Sequence, residues 1–151
     1  MLTLIPIKET LDENEEFLYH ANCRDTLTMT IDYYQTIGFT PPWIGYYASI
    51  ENKLVGSGGY KGKPQNNRIE IAYGTFENYR HQGIGTQICD ALVKLAIQTD
   101  PDVIITARTL PENDFSSRVL QKNNFKLLGT VWDKDDGDVW EWQYQPQTGN
   151  Q

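Results

Sequence analysis

Arg80-His81-Gln82-Gly83-Ile84-Gly85-Thr86 is the stretch that decides how this 151-residue chain is read. Before it, residues 68–76 (Arg68-Ile69-Glu70-Ile71-Ala72-Tyr73-Gly74-Thr75-Phe76) read as a strand. After it, Ile84, Ile88, Ala91, Leu92 and Leu95 recur at the helical period. The order is strand, short loop with two glycines, helix. Gly83 and Gly85 lack a Cβ, so a ligand can come close to the backbone there. The loop feeds a helix N-terminus, where unpaired N–H groups and the helix dipole favour an anion. Together these features make a phosphate cradle. The P-loop pattern is not met, because no Gly-Lys-Ser/Thr follows. The dinucleotide fingerprint is not met either, because Ile88 stands where its third glycine belongs. A plain helix start with two turn glycines is the bland alternative.

The flanking chain supplies alternating strands and helices. Residues 3–7 read as a first strand, stopped near Pro6. Residues 11–25 read as a helix, with Glu13, Glu15 and Glu16 early and Phe17, Leu18 and Ala21 inward. Residues 26–37 form a second helix, ended by Gly38. Residues 43–50 and 54–60 are strands joined by a turn at Glu51-Asn52-Lys53. Gly56, Gly58 and Gly59 in the second of them imply a bulge or close approach by another segment. Residues 61–67 are a polar loop and residues 103–107 a short strand. A helix opens at Pro111 and runs to about Asn123, and residues 126–132 and 138–144 form a hairpin around Asp135-Asp136-Gly137. The order β-α-α-β-β-β-α-β-α-β-β predicts a single α/β or α+β domain over residues 1–145, with a loose tail at 146–151.

A length of 151 residues suffices for one domain with a real core. The net charge of −7 argues against nucleic acid as a partner and favours a cationic acceptor. Cys23 and Cys89 form no paired motif, and His20 and His81 are scattered, so no metal site is expected. The N-terminus is too short for a signal peptide, and no apolar run is long enough to span a membrane. A cytoplasmic protein is expected, as monomer or homodimer, with the hairpin tryptophans Trp132, Trp140 and Trp142 as the possible interface.

Three places resemble the GNAT N-acetyltransferase superfamily. Glu70-Ile71-Ala72-Tyr73 followed by Arg80-His81-Gln82-Gly83-Ile84-Gly85-Thr86 is similar to its fourth strand and pyrophosphate loop, with a RimJ/RimL-like flavour. Asn113-x-x-Ser116, then Val119-Leu120-Gln121-Lys122, resembles its helix after strand five. Phe125 follows Asn124 where the family usually has Gly-Phe, and Asn is the next best residue for a left-handed helix end. The resemblance covers nearly the whole chain. It implies a mixed, mostly antiparallel sheet flanked by helices, and acetyl-CoA as co-substrate without a metal. It also implies direct attack on the thioester by the primary amine of a small molecule, protein or peptide.

The resemblance further implies site residues. The pantetheine arm would run along Tyr73, Gly74 and Thr75, where that strand splays from the next. Arg80 and the amides of His81, Gln82, Gly83, Ile84, Gly85 and Thr86 would take the pyrophosphate. Asn113 would anchor the arm, with Ser116 beside it in the cofactor set. Glu70 is the candidate base acting through water. It reads equally as a strand charge paired with Arg68 or a lysine. The family's acid, a tyrosine seven residues after the Asn, is here Leu120. The acid is therefore unassigned, with water, Tyr33, Tyr34 or Ser116 as substitutes. For Ser116 the favoured reading is a helix-start hydroxyl bonding backbone. Tyr33 and Tyr34 are core or acceptor-lining residues. A non-catalytic acyl-CoA-binding or regulatory module on the same fold is the alternative, as is an unrelated phosphate-binding α/β domain.

Overall fold

The computed structural model describes residues 1–112 and 114–146. Seven strands form one sheet: β1 (Leu2–Pro6), β2 (Gly45–Ile50), β3 (Lys53–Tyr60), β4 (Arg68–Thr75), β5 (Ile104–Thr109), β6 (Phe125–Asp133) and β7 (Gly137–Tyr144). Their order is β1-β2-β3-β4-β5-β7-β6, which puts β4 at the centre. Every pairing is antiparallel except β4 with β5. The helices are α1 (Glu15–Leu18), α2 (Arg24–Ile37), α3 (Ile84–Thr99) and α4 (Phe115–Lys122). This is the mixed, mostly antiparallel α+β architecture expected from the sequence.

Helix α3 covers one face of the sheet through Ile88, Cys89, Leu92, Val93 and Ala96, all buried. The glycines of β3 let it settle there. A Cβ on Gly58 would stand 2.9 Å from Ile88 Cγ2 and 3.0 Å from Leu92 Cδ1. One on Gly56 would stand 2.5 Å from the Gly74 carbonyl oxygen. The close approach read from these glycines is therefore that of α3 and of β4. Tyr60, on the same face, donates from its hydroxyl to Leu92 O at 2.6 Å. Side chains alternate along a strand, so Gly59 and Ser57 face the other way. There α2 packs, tied down by Tyr47, whose hydroxyl meets that of Thr26 at 2.8 Å. Tyr34 on α2 donates to Ile7 O at 2.7 Å and accepts from Gly45 N at 2.9 Å.

The expected helix over residues 11–25 is the main correction. The segment holds a 3₁₀ turn, Asp12–Asn14, then the single turn α1, and Ala21 is exposed. At its entry Asn14 is buried. Its side chain accepts from Lys8 N at 2.8 Å and donates to Lys8 O and Thr10 O at 2.9 and 2.7 Å. These bonds fix the entry to the 3₁₀ turn, and after Leu18 the chain turns through His20 N to Phe17 O at 3.2 Å and Cys23 N to His20 O at 3.0 Å before α2 begins. Helix α2 starts earlier than expected, at Arg24, and ends at Gly38 with φ +87°. Helix α4 starts later than expected, because Asp114 caps it by accepting from Ser117 N at 3.1 Å.

The left-handed Asn124 before β6 is present, with φ +67°. The last hairpin turns at Gly137, φ +74°. Of its tryptophans, Trp142 is buried and donates to Thr109 Oγ1 at 3.0 Å, whereas Trp132 is 74% exposed. Of the expected tail at 146–151, only Pro146 lies within the described residues. No helix among the described residues is long and apolar enough to cross a membrane.

Candidate functional site

The parallel ladder between β4 and β5 stops at Ile71 opposite Ala107, while β4 continues beside β3 as far as Thr75. Beyond Ile71 the edge of β4 that faces β5 carries no ladder. A cleft of about 380 Å³ opens there. It is lined by Tyr73, Gly74 and Thr75 from β4, Arg80, His81 and Gly85 from the loop and helix start, and Phe115 and Ser116 from α4.

The cleft runs to the N-terminus of α3. Gly83 caps that helix in the left-handed region, φ +76° and ψ 10°, with open space where a Cβ would lie. The first helical bond is Gln87 N to Gly83 O, 3.3 Å. The amides of Ile84, Gly85 and Thr86 thus precede any intrahelical partner, as the first turn of a helix requires. Unpaired amides, the dipole's positive end and the exposed Arg80 suit a diphosphate.

Most residues expected at a cofactor site are gathered here. Ile84 is a core residue, so only its amide is available. Gln82 lies away from the cleft, in a separate depression with Glu51, Lys53 and Gln87. Thr86 accepts at its carbonyl from Asn123 Nδ2, 3.2 Å. Asn113 lies outside the described residues. The helix-start hydroxyl that bonds backbone is Ser117, donating to Glu112 O at 2.8 Å, and Ser116 is left to line the cleft. Phe115 escaped the sequence reading. Its one signal is an aromatic at the exposed first position of a short helix, 42% accessible.

A second cleft, about 340 Å³, opens between α2 and the sheet. Tyr33, Tyr34, Ser57, Gly59, Lys61 and Ala72 are among its lining residues. Tyr33 presents a half-exposed ring, whereas both hydrogen-bonding roles of the Tyr34 hydroxyl are spent on backbone. Leu120, which has no proton to give, is fully buried.

Glu70 lies on the α2 side of β4 and lines neither cleft. Its Oε2 is 2.7 Å from Lys61 Nζ, and its Oε1 is 3.9 Å from Arg108 Nε. Pairing with a lysine, one of the two sequence readings of Glu70, is thus present. Burial works against the Lys61 charge, but the Glu70 carboxylate outweighs it and holds the ammonium above its ordinary pKa. Arg108 continues the network to Asp133 at 3.0 Å and to Glu141 at 3.4 Å. The Asp135 amide and the Arg108 guanidinium hold Asp133 down at about 2. Burial pushes the Cys89 thiol up to about 12, and raises that of Cys23. Neither is a ready nucleophile. No group of His, Cys, Asp and Glu among the described residues is placed to hold a metal.

Residues 5–126 match the family profile described as acetyltransferase (GNAT) domain. The fold is also similar to solved structures. One is a RimL ribosomal L7/L12 alpha-N-protein acetyltransferase in complex with coenzyme A. It is 18% identical, with 94% of this chain and 92% of that one covered and a TM-score of 0.66. Another is aminoglycoside acetyltransferase AAC(6')-Ib in complex with coenzyme A and kanamycin, 22% identical, covering 96% and 95%, TM-score 0.69. A third, from Salmonella typhimurium, is an acetyltransferase that modifies the N-terminal serine of ribosomal protein L7/L12. It is 17% identical, covering 97% and 95%, TM-score 0.65. No curated protein sequence matches the chain.

Proposed function

The chain belongs to the GNAT acetyltransferase family, and from that premise we propose that it transfers an acetyl group from acetyl-CoA to a primary amine. The observation that carries this reading is the β4 edge left open beyond Ile71, leading into a cleft that ends on the free amides of α3. A pantetheine arm carries amides and matches an open strand edge; a diphosphate matches the helix start. The amine enters from the α2 side and attacks the carbonyl carbon of the thioester. The carbon–sulfur bond breaks and the sulfur leaves with its electron pair. The proton shed by nitrogen passes through water to Glu70. The relatives in complex with coenzyme A support the donor, and their acceptors, a ribosomal protein terminus and an aminoglycoside, support an amine. Leu120 in place of an acid is the observation that favours a second reading, a non-catalytic acyl-CoA-binding module.

Two measurements test this. Coenzyme A is expected to bind and to raise the melting temperature by mass action. Dephospho-CoA should bind too, because the cradle addresses the diphosphate. No heat with millimolar CoA would defeat the reading. A thiol-release assay with acetyl-CoA and an amine panel (kanamycin, a peptide with N-terminal serine, spermidine, benzylamine) then separates an enzyme from a binding module.

A further inference from the structure

The two clefts share Tyr73 and Gly74 and no other lining residue. On the acetyltransferase reading, the thioester carbon must sit where donor and acceptor spaces meet, so these residues border it. Tyr73 is singular in a second way. Four other largely buried tyrosines have partnered hydroxyls. Tyr34 donates to Ile7 O, Tyr46 to Pro42 O, Tyr60 to Leu92 O, and Tyr47 meets Thr26 and Cys23 O. Among the described residues, the Tyr73 hydroxyl is the one buried side-chain polar atom with no partner. A buried donor left unpaired is costly and demands an explanation.

Resting on that reading, we propose that the Tyr73 hydroxyl is the proton donor to the departing CoA sulfur. The oxygen is closed off from water, so its hydrogen bond is kept for an atom that enters the cleft. Tyr73 is among the residues that line the cofactor cleft, and the proposal requires its ring to rotate until the hydroxyl meets the sulfur. As the carbon–sulfur bond breaks, its electron pair goes to sulfur. The phenolic proton moves onto that sulfur, and after the products leave the phenolate is reprotonated through water by the proton that Glu70 took from the nitrogen. The sum is one amide and one thiol from one amine and one thioester. Burial, with the Cys89 and Asp114 groups nearby, pushes the phenol above its ordinary pKa. It therefore stays protonated at working pH, so its hydrogen is present to bond the sulfur as negative charge builds there. The other groups are excluded by position. Leu120 has no proton to give, the Tyr34 hydroxyl is spent on backbone, Tyr33 lines the acceptor cleft alone, and Ser116 lines the cofactor cleft alone.

The test pairs Tyr73→Phe with a ligand that lacks the sulfur. Calorimetric titration of the wild-type protein should show CoA binding about threefold to tenfold tighter than desulfo-CoA, the range of one hydrogen bond. The phenylalanine variant should bind the two ligands alike. Its melting temperature should not fall, since no intramolecular hydrogen bond is lost. In the thiol-release assay its kcat should drop about 10²-fold, with KM for acetyl-CoA unchanged. The same CoA preference in both proteins, or an unaltered kcat, would overturn the Tyr73 assignment and leave the acetyltransferase reading standing. No heat from either ligand with the wild-type protein would overturn both.

Discussion

Glu70 and Lys61 are joined by a 2.7 Å ion pair between the centre of β4 and the segment that follows β3. The pair gives the carboxylate a structural occupation beside its proposed catalytic one, and Glu70→Gln separates the two. The structural part is small. Lys61 is 38% exposed, so solvent screens the pair and its loss should cost no more than about 1 kcal/mol. If Glu70 takes the amine's proton through water, kcat should fall about 10²-fold while acetyl-CoA affinity holds. The acidic limb of the pH–rate profile should move or flatten. Superimposable profiles for the two proteins would leave Glu70 with the ion pair alone.

Gly83 offers a test of the cradle that keeps backbone strain apart from ligand clash. Its φ of +76° suits glycine, and asparagine tolerates it far better than a β-branched residue. Gly83→Val should destabilise the protein by about 1–2 kcal/mol. Gly83→Asn should melt close to the wild type. Both place side-chain atoms in the open space above the helix start, so both should weaken CoA binding. Wild-type affinity in Gly83→Asn would put the diphosphate elsewhere.

The glycines of β3 should differ in cost according to what a methyl group would strike. At Gly56 it meets the Gly74 carbonyl at 2.5 Å, and at Gly59 the Gly45 Cα and Ile44 carbonyl, each at 2.8 Å. Backbone cannot step aside, so either alanine should cost about 1–3 kcal/mol or more. At Gly58 the nearest atoms are side-chain methyls of Ile88 and Leu92. The Leu92 end can shift and α3 can give slightly, whereas the backbone struck at the other two cannot, so Gly58→Ala should cost less. Ile88 Cγ2, on its β-branched carbon, keeps the cost above zero. Urea unfolding midpoints give the order. Equal losses at all three positions would contradict it.

Asp133 should make the fold acid-sensitive in a defined window. Its folded pKa is about 2, against 3.8 ordinarily, held down first by the Asp135 amide and then by Arg108. A depressed carboxyl stabilises the fold above its unfolded pKa and loses that contribution as pH falls through the folded value. The loss therefore falls between about pH 4 and pH 2. Asp133→Asn should be less stable than the wild type at pH 7, and the gap should close across that window. Thermal melts at pH 7, 4 and 2.5 measure it. A gap that stays constant with pH would exclude Asp133 as the source.

What the sequence made legible follows from how local its signals are. The run from Arg68 to Thr86 could be read because alternation, paired glycines and a 3.6 period all pointed to one arrangement. The hairpin around Gly137 was plain for the same reason. Residues 11–25 misled because their glutamates favour a helix, while the turns from Phe17 to His20 and from His20 to Cys23 that interrupt it carry no glycine or proline to announce them. The unpaired hydroxyl of Tyr73 is invisible in sequence for a related reason. Tyr34, Tyr46, Tyr47 and Tyr60 carry the same side chain, and only three-dimensional surroundings tell which one lacks a partner. Ser117 in place of Ser116 as the backbone-bonding hydroxyl turned on where α4 begins, a boundary that propensity sets poorly.

The open edge of β4 past Ile71 also bears on how this protein can drift over generations. If acetyl-CoA docks there as proposed, its rail is made of main-chain N–H and C=O groups and is the same whatever side chains stand on it, with proline the exception. Lineages carrying this fold can thus exchange most of their residues, as 18% identity across 94% of the chain illustrates, without rewriting the rail. At Thr75, whose backbone groups face that open edge, the mutation that selection should purge most reliably is the one to proline, even though its side chain is not itself indispensable.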